Sequence, residues 1–126
     1  MINGAHVLLY SADAEADRNF LRDVLGLKSV DAGHGWLIFA LPPAETALHP
    51  SEESSPKDKH AMLRAELYFM CDDLKTTVKV LKDKKIACGP ISEERWGIKT
   101  TMRLPSGGEV GLYQPKHPTA LNLSSK

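Results

Sequence analysis

Apolar and polar positions along this chain follow first a strand-like and then a helix-like period, and the sequence of periods occurs twice. Residues 4 to 10 include Ala5-His6-Val7-Leu8-Leu9-Tyr10, a β-forming run that predicts a strand. It ends at Ser11-Ala12-Asp13, a helix N-cap signal. Beyond Asp13, Ala16, Phe20, Leu21, Val24 and Leu25 share one helical face, and Asp17, Arg18, Arg22 and Asp23 share the other. Gly26 follows as a stop. Three short strands are expected next, near 28–32, 35–41 and 45–49, with Gly33-His34-Gly35 and Pro42-Pro43 as the turns between them.

Residues 50 to 60 contain no apolar side chain apart from proline and read as the core of an exposed linker, placed at 50–62. The pattern then restarts. A strand is expected from Leu63 to Cys71, and Asp72-Asp73 caps a helix with Leu74, Val78 and Leu81 on one face. Strands near 86–91, 95–104 and 109–114 complete the second set. The halves register at a spacing of 60 residues: His6 with Glu66, Asp13 with Asp73, Leu21 with Leu81. After the helix the register slips, because Lys85 stands near the place that Gly26 holds in the first half. The expected fold class is therefore α+β: two tandem βαβββ modules forming a curved, cup-like mixed sheet with the helices outside. All 126 residues make one domain, with module one at about 4–49, module two at about 63–115, and a flexible tail at 116–126.

Composition narrows the partners. Sixteen basic residues balance sixteen acidic ones, and there is no basic stripe, so no nucleic-acid partner is expected. No apolar run approaches a membrane span, and no basic flank or cleavage site marks a secretory signal. Cys71 and Cys88 stand apart in apolar surroundings and read as buried reduced thiols, which suits a cytoplasmic location. Open sheet edges invite pairing with another chain, so a homodimer is expected.

Three stretches resemble one family. His6-Val7-Leu8-Leu9-Tyr10 leading into Asp13, with Phe20-Leu21-Arg22-Asp23-Val24-Leu25-Gly26-Leu27, resembles the opening of glyoxalase, bleomycin-resistance and extradiol-dioxygenase proteins, the vicinal oxygen chelate superfamily. Glu66 to Leu74 resembles their second-module opening, and Leu104 to Pro115 their closing hairpin and last strand. The resemblance implies a divalent metal as cofactor, held by one residue on the first strand and one on the fourth strand of each module. Imidazole and carboxylate donors suit such ions, and a catalytic site usually has at least three protein donors. Carried over position by position, the first-strand places fall on His6 and Glu66, both able to bind metal. The fourth-strand places fall on Ala47 and Gly111, and neither has a donor. His49 and Glu45 share a face with Ala47, displaced along the strand by roughly 6–7 Å.

Other side chains stand as candidates for the concave face. Trp36, Trp96 and Tyr113 are aromatics suited either to a core or to stacking on a planar ligand, and Arg103 is a fork for an anionic group. His49 is a further substrate-binding candidate. His6 and Glu66 are the candidate catalytic pair, as general base or ligand-orienting groups. Three functions follow. The first is a bleomycin-resistance-like protein that holds a small molecule in a cup at a dimer interface, without the full metal site. The second is a metal-dependent lyase, isomerase or dioxygenase using His6, Glu66 and an off-centre donor such as His49. The third is a metal-independent enzyme with His6 or Glu66 as base. The known sequestering proteins tend to be acidic so as to hold basic drugs, whereas this chain is neutral, so its ligand is expected to be less cationic.

Overall fold

The computed structural model describes residues 1–50 and 62–123; positions 51–61 of the expected linker and 124–126 of the expected tail lie outside the described residues. Helix α1 spans Ala14–Asp23. Asp13 caps it by accepting from the Ala16 N–H at 3.1 Å. Strands β1 (Ser29–Asp31) and β2 (Leu37–Phe39) form an antiparallel hairpin. Then come β3 (Tyr68–Met70), helix α2 (Leu74–Asp83), β4 (Ser92–Glu94), β5 (Gly97–Arg103) and β6 (Glu109–Pro115). These later strands make a four-stranded sheet in the order β3-β6-β5-β4, with β3 parallel to β6 and the other pairs antiparallel. The fold is mixed α+β with open sheets, as expected, and the second module is a complete βαβββ unit.

Alternation along the strands decides which face holds the core. Ile98, Thr100 and Met102 of β5, with Val110 and Leu112 of β6, turn towards α2 and are buried. They pack with Leu74, Val78 and Leu81 of α2, and with Ile86 just beyond it. Helix α2 is seated by polar contacts too: Asp73 caps its start, and the Leu74 N–H donates to the Gln114 side-chain oxygen at 2.8 Å. Its far end is a Schellman turn, with the Ile86 N–H donating to Leu81 O and the Lys85 N–H to Lys82 O. Lys85 takes the left-handed conformation there, φ 64°, matching the φ 70° of Gly26 after α1. The slipped register therefore preserves a left-handed residue after the helix while losing its glycine.

Helix α1 joins this same core. Phe20 is buried among the α2, β5 and β6 side chains, with Leu21, Val24 and Leu25 packed against them. Asp17 anchors the helix by accepting from the Ser106 N–H at 3.0 Å, the Ser106 hydroxyl at 2.7 Å and the Ser11 hydroxyl at 2.6 Å. Ser106 lies in the tight β5–β6 turn, so that turn receives a carboxylate from the protein itself. Burial pushes the Asp17 carboxyl up, but the Ser106 and Ser11 hydroxyls and the Ser106 N–H outweigh it and hold the carboxyl below its ordinary value.

Module one departs from expectation. The strands expected at 4–10 and 45–49 run without sheet pairing, leaving module one with α1 and one hairpin. A strand is stabilised by a neighbour's backbone, and the described part of this chain brings none alongside either segment. In module two the strand expected at 86–91 shrinks to one bridge, Cys88 with Met102, and β4 starts at Ser92. No helix among the described residues is long and apolar enough to cross a membrane.

Candidate functional site

The face of the sheet away from α2 carries an aromatic strip. Parity places Glu66, Tyr68 and Met70 on this side of the β3 segment, Gly111 and Tyr113 on β6, and Lys99, Thr101 and Arg103 on β5. Tyr68 and Gly111 are register partners across the parallel β3–β6 pair. The Tyr68 ring lies over Gly111 so closely that a Cβ there would overlap the ring carbons. One strand further, the Tyr113 ring lies across Gly97 in the same way, and its hydroxyl donates to the Trp96 carbonyl at 2.8 Å. Two glycines thus form the floor under two tyrosines.

The rings contact one another in order. Tyr68 meets Tyr113 edge-on with centroids 6.1 Å apart, and Trp96 meets Tyr113 at 5.5 Å. These are favoured aromatic geometries. The Lys99 ammonium sits 5.2 Å from the Trp96 ring centroid, a cation–π contact at the rim. Beyond the strand, His117 stacks on Tyr113 at 5.7 Å, and its Nε2 lies 3.9 Å from Glu45 Oε2. Glu45 Oε1 accepts from the Ala120 N–H at 2.8 Å. Of the segment expected to be a free tail, residues 116–120 therefore make defined contacts with the sheet and with Glu45.

Proton affinities favour neutral rings. Burial, then the charge of Glu66 and the hydrogen bond to it, pushes the Tyr68 phenol up. Burial and the Glu45 charge do the same for Tyr113. The thiols of Cys71 and Cys88 are pushed up mainly by burial and stay protonated at neutral pH. The strip offers π faces, hydroxyl dipoles and one ammonium. It suits stacking.

The sequence-derived candidates are only partly brought together. Trp96 and Tyr113 come together in the strip, and Arg103 lies on the same face of β5, opposite Glu109 in register. Trp36 is exposed at the β1–β2 hairpin, with the Arg18 guanidinium 4.9 Å over its ring. His6 lies in the unpaired segment before α1, and His49 in the unpaired stretch after β2. Glu66 precedes β3 and accepts a long hydrogen bond, 3.4 Å, from the Tyr68 hydroxyl. No ion pair joins His6 to Glu66, and among the described residues no three His, Cys, Asp or Glu side chains gather as metal donors. The donors in hand do not fit a cation at the position the resemblance implies. Gly111 has none to offer, and the ring of Tyr68 fills the space above it.

Sequence reasoning missed Tyr68, His117 and Glu45 as a group. A signal for Tyr68 was present: it lies two residues from Glu66, hence on the same strand face. For His117 and Glu45 there was none, since their meeting depends on how the segment after β2 and the segment after β6 return to one another.

The model of the glyoxalase/bleomycin resistance protein/dioxygenase superfamily matches residues 4–107. The chain belongs to this superfamily. Solved structures agree with that membership. A lactoylglutathione lyase from Agrobacterium tumefaciens is 20% identical, with 89% of this chain and 92% of that one covered and a TM-score of 0.61, a likeness of fold. TnmS3, an antibiotic binding protein from Streptomyces sp. CB03234, is 25% identical over 92% of this chain and 100% of that one, with a TM-score of 0.58. A glyoxalase/bleomycin resistance protein from the same strain is 25% identical over 82% and 93%, with a TM-score of 0.53. No curated protein sequence matches the chain. In this chain an aromatic ring, that of Tyr68, lies over Gly111, where the resemblance implies a metal donor.

Proposed function

We propose that this protein binds a flat, aromatic small molecule on the Tyr68–Tyr113–Trp96 strip and releases it chemically unchanged. The observation that carries this reading is the Tyr68 ring lying over Gly111, which turns a donor position into a stacking surface. The likeness to TnmS3, an antibiotic binding protein, supports it. The neutral chain and the Lys99 ammonium beside Trp96 favour a neutral or weakly anionic ligand over a cationic drug.

The working form in this reading is a homodimer, since module one has no ladder partner for 4–10 or 45–49 within the described chain. A second copy would supply the missing backbone and wall off the strip from water.

Calorimetric titration with a panel of fused-ring compounds tests the proposal, coupled to mass spectrometry of the recovered ligand. A binder present at about 100 times its Kd should raise stability by about 2.7 kcal/mol. Trp96→Ala should weaken binding about ten-fold, the value of one lost stacking partner. Recovery of a chemically altered compound, or binding indifferent to Trp96 and Tyr68, would refute it.

A further inference from the structure

The chain does not leave the sheet when β6 ends. The Lys116 N–H donates to the Trp96 carbonyl at 2.9 Å, the same oxygen that takes the Tyr113 hydroxyl. The Lys116 ammonium also reaches Glu93 at 3.2 Å. Lys116 is thus a fixed pivot. Immediately after it, the His117 ring lies 5.7 Å from the Tyr113 ring at an interplanar angle of 29°, the geometry of an offset stack. Nδ1 of that ring donates to the Pro118 carbonyl at 2.8 Å, which fixes the ring's orientation. Three residues on, Ala120 is held through its N–H by Glu45, whose second oxygen faces His117.

These contacts describe a strap with a pivot, a planar plug and a latch. The plug is the imidazole, and it covers a tyrosine face that belongs to the stacking strip. The latch is a single carboxylate from a stretch that has no sheet pairing of its own, so little else holds it in place. The contacts themselves are exchangeable: a partly exposed stack, a His117–Glu45 approach of 3.9 Å and one hydrogen bond from the Ala120 N–H to a carboxylate. Each has an equivalent that a bound ring or water could supply.

We propose that residues 117–120 form a displaceable strap in which the His117 imidazole occupies the Tyr113 stacking face until a planar ligand takes its place. The inference rests on the stacking function argued above and adds its gate. The strap makes apparent affinity depend on the fraction of molecules with an open face, so weakening the latch tightens binding without adding any ligand contact. It also selects by shape, because only a flat ring can replace an imidazole stacked on the Tyr113 face.

The test uses 2-anthracenecarboxylate, a flat fluorescent probe, with wild type, Glu45→Gln, His117→Ala and Trp96→Ala proteins. Its companion readout is hydrogen exchange at the Ala120 amide. The strap predicts that Glu45→Gln and His117→Ala bind the probe several-fold tighter, up to about ten-fold. It further predicts that the Ala120 amide is protected in wild type and loses protection when the probe saturates. Wild-type binding that depends on Trp96 but is unchanged or weakened in both strap variants, with Ala120 still protected, overturns the strap and leaves the stacking function standing. Absence of probe binding in all four proteins overturns both.

Discussion

At the scale of single residues, the positions of most consequence are Lys85, whose backbone is held against its preference, and Asp17, whose charge is held in place by three donors. Lys85 adopts φ 64° at the end of α2, a conformation that costs an L-residue about 1 kcal/mol or more and a glycine little. Lys85→Gly should therefore stabilise the protein by about 0.5–1 kcal/mol in urea unfolding, an unusual direction for a glycine substitution. A loss of stability would mean that the lysine side chain makes up for its backbone. The sequence showed this position only as a break in the repeat, since a 60-residue register predicts that something sits opposite Gly26 but says nothing of its φ. Asp17 is the second case. Its folded carboxyl is held below its ordinary value, so its contribution is complete above about pH 5 and lost as pH falls through the folded value. Asp17→Asn should cost about 2 kcal/mol at neutral pH. The gap between wild type and variant should then narrow on acidification below about pH 4, as denaturant midpoints at successive pH values would show. A gap that stays constant from neutral pH to pH 3 would mean that shape, not charge, anchors α1.

At the scale of elements, the legible parts were those whose signals are local. Asp13 and Asp73 announce the helices, and the alternation in Ile98, Thr100, Met102 and in Val110, Leu112 announces the buried face of the hairpin. Parallel pairing of β3 with β6 has no local signature, because its register is set across an intervening helix and hairpin. The facing of Tyr68 and Gly111 was therefore invisible, and Gly111 read only as a lost donor. Physically it is a place made for a ring. A Cβ at 111 must displace Tyr68, so Gly111→Ala should cost about 1–3 kcal/mol. In a Tyr68→Ala background the same change should cost less than about 0.5 kcal/mol, since the overlap is gone and alanine suits a strand better than glycine. The coupling, at least about 1 kcal/mol, is measurable as a double-mutant cycle in urea. Additive costs would show that ring and glycine are neighbours without dependence.

At the scale of the whole molecule, the two halves are unequal in a way that the repeat does not explain. Module two supplies most of the buried core, though Leu63, Val80, Ile91 and Trp96 are exposed, while module one leaves Leu8 at 63%, Tyr10 at 92% and Val30 at 67% exposure, with Leu48 and Trp36 also exposed. Isolated exposed apolar residues need no explanation, but Leu8, Tyr10 and Leu48 lie on segments whose backbone also lacks sheet partners, and the two deficits have one remedy. A second copy that added its backbone to 4–10 would satisfy the ladder and cover the side chains together. Val7 and Leu9 lie on one side of that segment, away from His6, and both are exposed in the single chain. Both are about half exposed, so replacing them with lysine should change the monomer's stability by no more than about 1 kcal/mol per site. In the dimer the same lysines would meet apolar surface and each other's charge. Sedimentation velocity should show wild type as a dimer and the double variant as a monomer, with circular dichroism of the helices unchanged. If the variant remains dimeric, the N-terminal segment is not the joint. If wild type is itself monomeric at micromolar concentration, the apolar surface of module one has another purpose, and the stacking strip must close without a second chain.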